Sequence, residues 1–148
     1  MSAAVVLDST PLGILCHRRS PPHVAACRQW IADLLIAGRR VINSEIADYE
    51  IRRELIRRNG IIALANLDAY GIHLEYLPIT TAAMSTAAEL WAQIRNIGKP
   101  TAPDHALDGD VILAAQTLSL GVPAIVASAN PAQLARFVPT DDWRNIAP

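Results

Sequence analysis

A chain of 148 residues, 51% of them hydrophobic, can bury one substantial core without disulfides, so one domain spanning residues 1–148 is expected. The formal net charge of -1 and a pI of about 6.4 exclude a global field that would draw it to nucleic acid or a membrane; any polyanion contact must come from local clustering. Cys16 and Cys27 stand too far apart for a redox or zinc pair and read as core thiols, and neither a leader peptide nor a membrane-length apolar run is visible, so a soluble cytoplasmic protein with no membrane partner is expected.

In chain order, AAVVL at 3–7 has the length and composition of a buried strand. Thr10-Pro11 then offers a helix cap followed by proline at the first helical position, opening a short helix over 12–17. After a loop at 18–22, Val24, Cys27, Trp30, Ile31, Leu34 and Leu35 recur at helical spacing until Gly38, and 40–42 is a brief strand. Asn43 or Ser44 caps a helix to about Arg58, Asn59-Gly60 ends it, and a second helix runs over 61–70 to Gly71. A strand at 72–77 precedes an alanine-rich helix from Thr80 or Thr81 to Ile97. The glycine- and proline-rich stretch 98–103 predicts a loop, followed by the acidic segment 104–110. A helix at 111–120 stopped by Gly121, a strand at 123–127, a short helix at 131–137 and a tail able to add an edge strand complete the chain. Strand-length apolar runs alternating with helices define an α/β class with a parallel sheet covered on both faces.

Ligands of parallel sheets bind beyond the carboxyl ends of the strands, which places Asp8, at the turn from first strand to first helix, at a site. A helix cap explains an aspartate there equally well. Glu50 lies mid-helix in SEIADYEIRREL, where it either points inward with Ile46 and Tyr49 or joins a solvated face of pairs such as Asp48 with Arg52 and Glu54 with Arg57 or Arg58. Asp108 and Asp110 flank Gly109 in ALDGDVILAA. Capping the helix needs only one of them, and the second, with Asp104 upstream, adds repulsion that only a cation or a raised pKa would relieve. Hard divalent ions take such oxygen ligands; magnesium keeps several waters and needs only one or two direct carboxylates, a combination suited to phosphodiester hydrolysis. His105, beside this segment, reads as a surface histidine.

Lys99 is the single lysine among 13 basic residues, which leaves twelve arginines. Six of them, Arg39, Arg40, Arg52, Arg53, Arg57 and Arg58, fall in the strand-helix unit that carries Glu50. Either they hold a phosphate backbone, with Arg53 and Arg57 the candidates, or they pair with Glu45, Asp48 and Glu54 on a solvated face.

Taken in order, VVLDSTPLGIL with Asp8, EIADYEIRREL with Glu50, LDGDVILAAQTLSLG with Asp110 and its neighbour Asp108, and AIVASANPAQLARF resemble the four motifs of the PIN domains, in the bacterial group that contains the VapC toxins. The resemblance spans nearly the whole chain. It implies a three-layer α/β/α sandwich with a central parallel sheet and a magnesium- or manganese-dependent endoribonuclease. The implied catalytic acids are Asp8, Glu50 and Asp110, with Asp108 and Asn130 completing the metal ligands and Ser128 supporting. In toxin relatives it also implies a homodimer and a small inhibitory antitoxin, with RNA as substrate. The family usually has threonine and aspartate where this chain has Ser128 and Asn130, so the last ligand position is neutral. Among rivals, a receiver or dehalogenase-type phosphoryl-transfer protein lacks its second aspartate beside Asp8, and no G-x-G-x-x-G follows a strand. A PIN-like module that binds nucleic acid or protein with little catalysis is the competitor of another class.

Overall fold

The run Ala4–Leu7 is buried along its whole length and forms β1, the central strand of a five-stranded parallel sheet. The computed structural model describes residues 2–98 and 104–148. Around β1 the chain winds α1 (Ser9–Leu15), α2 (Pro22–Ile36), β2 (Val41–Ser44), α3 (Glu45–Arg57), α4 (Ile61–His73) and β3 (Glu75–Leu77). It continues through α5 (Thr81–Ile97), α6 (Asp104–Ser119), β4 (Ala124–Ser128), α7 (Pro131–Leu134) and β5 (Thr140–Asp142) to a final 3-10 turn, Trp143–Asn145. The sheet order is β3-β2-β1-β4-β5, with Val5 opposite Val41 and Val6 opposite Val126.

Alternation along β1 sorts the core into two layers. Val5 and Leu7 pack with Leu12 and Leu15 of α1, Cys27, Ile31 and Leu34 of α2, and Leu67 of α4. Ala4 and Val6 pack with Leu113 and Ala114 of α6 and Leu134 of α7, while α5 covers α6 through Ala83 and Ala87 against Leu107, Val111 and Ala115. Helices therefore cover both faces of a parallel sheet, the three-layer α/β/α arrangement. Helix α3 contributes Ala47 and Leu55 to the first core and Ile46 to the second, so it sits across the carboxyl end of the sheet. The tail closes the first core: Trp143 packs on Trp30 with ring centroids 5.5 Å apart, and the Trp30 indole N–H donates to the carbonyl of Ile146 at 2.8 Å.

Several boundaries differ from the sequence reading. The α1 cap is Asp8 and not Thr10, because the Asp8 carboxylate accepts from the Ser9 N–H at 2.7 Å. Helix α4 runs through Gly71 to His73, which shortens β3 to three residues. Helix α6 begins at Asp104, so Asp108 and Asp110 lie inside it instead of ahead of it. Leu107, Val111 and Ala115, spaced by four, extend its buried stripe one turn further back than the apolar run suggested. Helix α7 ends at Leu134, and β5 supplies the edge strand expected of the tail. The loop expected around Lys99 lies outside the described residues, as do the side chains of Asp104 and His105. Cys16 and Cys27 are both free and buried, and burial pushes each thiol up to about 12, which fits core thiols.

Candidate metal-binding and active site

The sheet order reverses at β1, whose neighbours β2 and β4 carry the chain to opposite edges, and a crevice opens at such a switch point. Asp8 follows β1 there. One of its carboxylate oxygens accepts from the Ser9 N–H, and the other accepts from the Ser128 hydroxyl at 2.8 Å, from the last residue of β4. The Ser128 hydroxyl accepts in turn from the Asn130 N–H at 3.1 Å. The first turn of α1 and the end of β4 thus hold Asp8 by its two oxygens. Asn130 enters this chain through its backbone; its side chain is exposed and does not cap α7.

Glu50 approaches from α3 and Asp110 from α6, both half-buried. Burial raises the Glu50 pKa above its ordinary value, and the charges of Asp8 and Asp110 raise it further while Arg53 opposes them. Burial together with Asp8 pushes Asp110 up to about 6, against the pull of Arg136. Three carboxylates from three separate elements therefore repel one another across one crevice. The Glu50 carboxylate lies against the backbone of Gly109, the residue next to Asp110. Asp108, about 200° around α6 from Asp110, instead lines a groove with Met84, Ala87, Trp91 and Ile112.

The arginines divide as their neighbours dictate. Arg40 pairs with Glu75, Arg52 bridges Asp48 at 2.8 Å and Asp68 at 2.9 Å, and Arg57 is held by Glu54. Arg39 donates to the carbonyls of Ala3 and Ala147. Arg53 is exposed over the Tyr49 ring, 5.0 Å from its centroid, and its charge acts on Glu50. The structure thus brings Arg53 to the carboxylates and leaves Arg57 with Glu54. It also adds Arg136, exposed over the Phe137 ring at 5.3 Å, braced by Gln133, and acting on Asp110. Sequence reading missed Arg136 because it stands alone, with no basic neighbour to mark it; its one clue was its place at the end of the last motif.

Hard oxygen donors under mutual repulsion fit a divalent cation such as magnesium or manganese. Among the described residues no three histidine, cysteine or carboxylate side chains form a ready-made cage. Magnesium does not require one, because it retains several of its waters.

No family model and no curated protein sequence matches the chain at a significant level. Solved structures do. A chain of the DNA-bound VapBC2 complex of Rickettsia felis matches with a TM-score of 0.72 at 14% identity, covering 95% of this chain and 98% of that one. A chain of the DNA-bound VapBC complex of Salmonella typhimurium gives 0.65 at 20% identity, covering 96% and 99%. VapC20 of Mycobacterium tuberculosis, a toxin that cleaves the sarcin-ricin loop, gives 0.63 at 16% identity, covering 98% and 100%. Over 95–98% of its length, with its parallel sheet between two helical layers, this chain has the fold of the VapC-like PIN domains.

Proposed function

We propose that this protein is a magnesium- or manganese-dependent endoribonuclease, the toxin of a toxin-antitoxin pair. The observation that carries this reading is the convergence of Asp8, Glu50 and Asp110 at the switch point, where burial and mutual repulsion raise Glu50 and Asp110. Asp8, Glu50 and Asp110 would hold the metal, directly or through its waters, and the Asn130 amide is a neutral candidate at the rim. When bound, the metal supplies a nucleophilic hydroxide near neutral pH and neutralises charge on the phosphodiester.

The chain's own residues do the rest. Ser128, with its hydroxyl donating to one Asp8 oxygen, fixes the carboxylate plane and leaves the other lone pairs for ligation. Arg53, which acts on Glu50, and Arg136, which acts on Asp110, hold the phosphates that flank the scissile bond, each guanidinium propped on an aromatic ring. The solved VapBC complexes support an antitoxin partner for this chain, and exposed Ile56, Ile61 and Ile62 about the α3–α4 turn offer an apolar surface for it or for a homodimer. Two free buried thiols suit a reducing cytoplasm, and among the described residues no helix is long and apolar enough to cross a membrane.

The second reading, a PIN-like binding module with little catalysis, draws on the exposed, uncharged Asn130 side chain. Incubating the purified protein with structured RNA in manganese, magnesium, calcium or excess EDTA separates the two. Cleavage with the first two metals, lost in EDTA and weak in calcium, supports the nuclease; undiminished cleavage in EDTA, or binding without turnover, removes it.

A further inference from the structure

Gly109 sits in the interior of α6, where glycine is among the least favourable residues. A Cβ added there would stand 3.1 Å from Oε2, 3.3 Å from Oε1 and 3.4 Å from Cδ of Glu50, its three nearest atoms beyond its chain neighbours and the local α6 backbone. Both carboxylate oxygens lie nearly equally far from that point and nearer than Cδ, so both oxygens face the bare α6 backbone at Gly109. Gly71, also inside a helix, has nothing within 4 Å of the same position, so a tight approach is not a general property of helical glycines in this chain. Gly13 on α1 receives the next residue of α3: its added Cβ would meet Ile51 Cδ1 at 3.0 Å. Helix α3 is therefore seated against two glycines, one admitting an aliphatic end and the other a carboxylate.

We propose that Gly109 is a positioning residue for Glu50: the missing side chain lets the carboxylate lie against α6 next to Asp110, and any larger residue displaces it from the metal-holding position. This role rests on the metal-dependent reading above. Removing the contact has opposite effects on fold and on site. Alanine improves the helix, whereas the displaced carboxylate no longer shares a ligand with Asp110. Flexible Glu50 can swing aside, so Gly109→Ala should fold.

The experiment combines thermal melts, with and without manganese alone, and RNA cleavage for the parent, Gly109→Ala and Gly13→Ala. Gly109→Ala should lose most of the manganese-induced rise in melting temperature and cleave at least about tenfold more slowly. Gly13→Ala, which presses on an aliphatic end, should keep the parent's manganese response whatever its effect on stability. A second comparison reads the contact itself without metal. In a Glu50→Ala background, Gly109→Ala should raise the melting temperature by about 2–4 °C, and in the parent background it should raise it less or lower it. A manganese response and cleavage rate in Gly109→Ala equal to the parent's, or equal melting shifts in both backgrounds, would overturn the role. A parent without any manganese response would overturn the nuclease reading and this role together, whereas a responsive parent with an unaffected Gly109→Ala would remove this role alone.

Discussion

Asp110 carries a pH signature that can be measured. Its ordinary value of 3.8 rises to about 6 in the fold, through burial and then Asp8, so the folded protein binds this proton more tightly than the unfolded chain does. The stability it contributes is complete below 3.8 and is lost as pH rises through about 6. Glu50, also raised, has the same sign. Asp142, held down to about 2 by Arg144, acts oppositely but only below its ordinary 3.8, outside the window from 5 to 7.5. The metal-free parent should thus gain stability on going from about pH 7.5 to about 5 relative to Asp110→Asn. The effect should be on the order of 1 kcal/mol after screening at a half-exposed carboxylate, or about 2–4 °C in melting temperature. Parallel pH profiles for the two proteins would contradict it. Ser128 makes the second residue-scale prediction. Ser128→Ala strips Asp8 of a charge-assisted donor and should slow cleavage by about tenfold or more, while Ser128→Thr, which keeps the hydroxyl, should restore most of the rate. Equal rates in both variants would assign the hydroxyl no part in orienting Asp8. Asp8 could be read from the sequence because it directly follows the first strand, whereas Ser128 entered only through the resemblance of AIVASANPAQLARF to the last PIN motif. The hydrogen bond joining them spans 120 positions of chain and follows only from the adjacency of β1 and β4.

At the scale of elements, helix α3 shows what sequence spacing carries and what it leaves out. The pair Asp48 with Arg52 was readable from helical spacing alone, and spacing narrowed the partner of Glu54 to Arg57 or Arg58, of which the structure selects Arg57. The same spacing puts Arg53, three residues from Glu50, within its reach, whereas Arg57, seven residues away, was grouped with it on the shared helix face alone and is held by Glu54. Arg53→Ala and Arg136→Ala should each weaken RNA binding and lower the slope of log affinity against log salt by about one unit, while Arg57→Ala leaves the slope unchanged. A slope change for Arg57 alone would reverse the assignment. Helix α6 was misread at its start for a local reason. Gly109 and the clustered aspartates look like loop chemistry, yet acidic residues favour a first helical turn and Leu107 already belongs to the buried stripe. Once the helix begins at Asp104, Asp108 and Asp110 point to different sides, and the apparent excess of charge before a cap resolves into one carboxylate at the crevice and one beside Trp91.

For the whole molecule, alternation of strand-length and helix-length segments was enough to give the α/β class, whereas the order β3-β2-β1-β4-β5 rests on pairings between residues far apart in the chain. That order creates the switch point and gathers residues from the end of β1, α3, α6 and β4 around it, where the carboxylates either bind one metal together or act as three separate helix-stabilising acids. Melting the parent and Asp110→Asn, each with and without magnesium, separates the two. The variant without metal should be at least as stable as the parent, since one repelling charge is gone, and magnesium should stabilise it far less. Identical magnesium shifts in the two proteins would contradict the metal site, because an asparagine that merely stabilises the helix as the aspartate did would leave both melts unchanged.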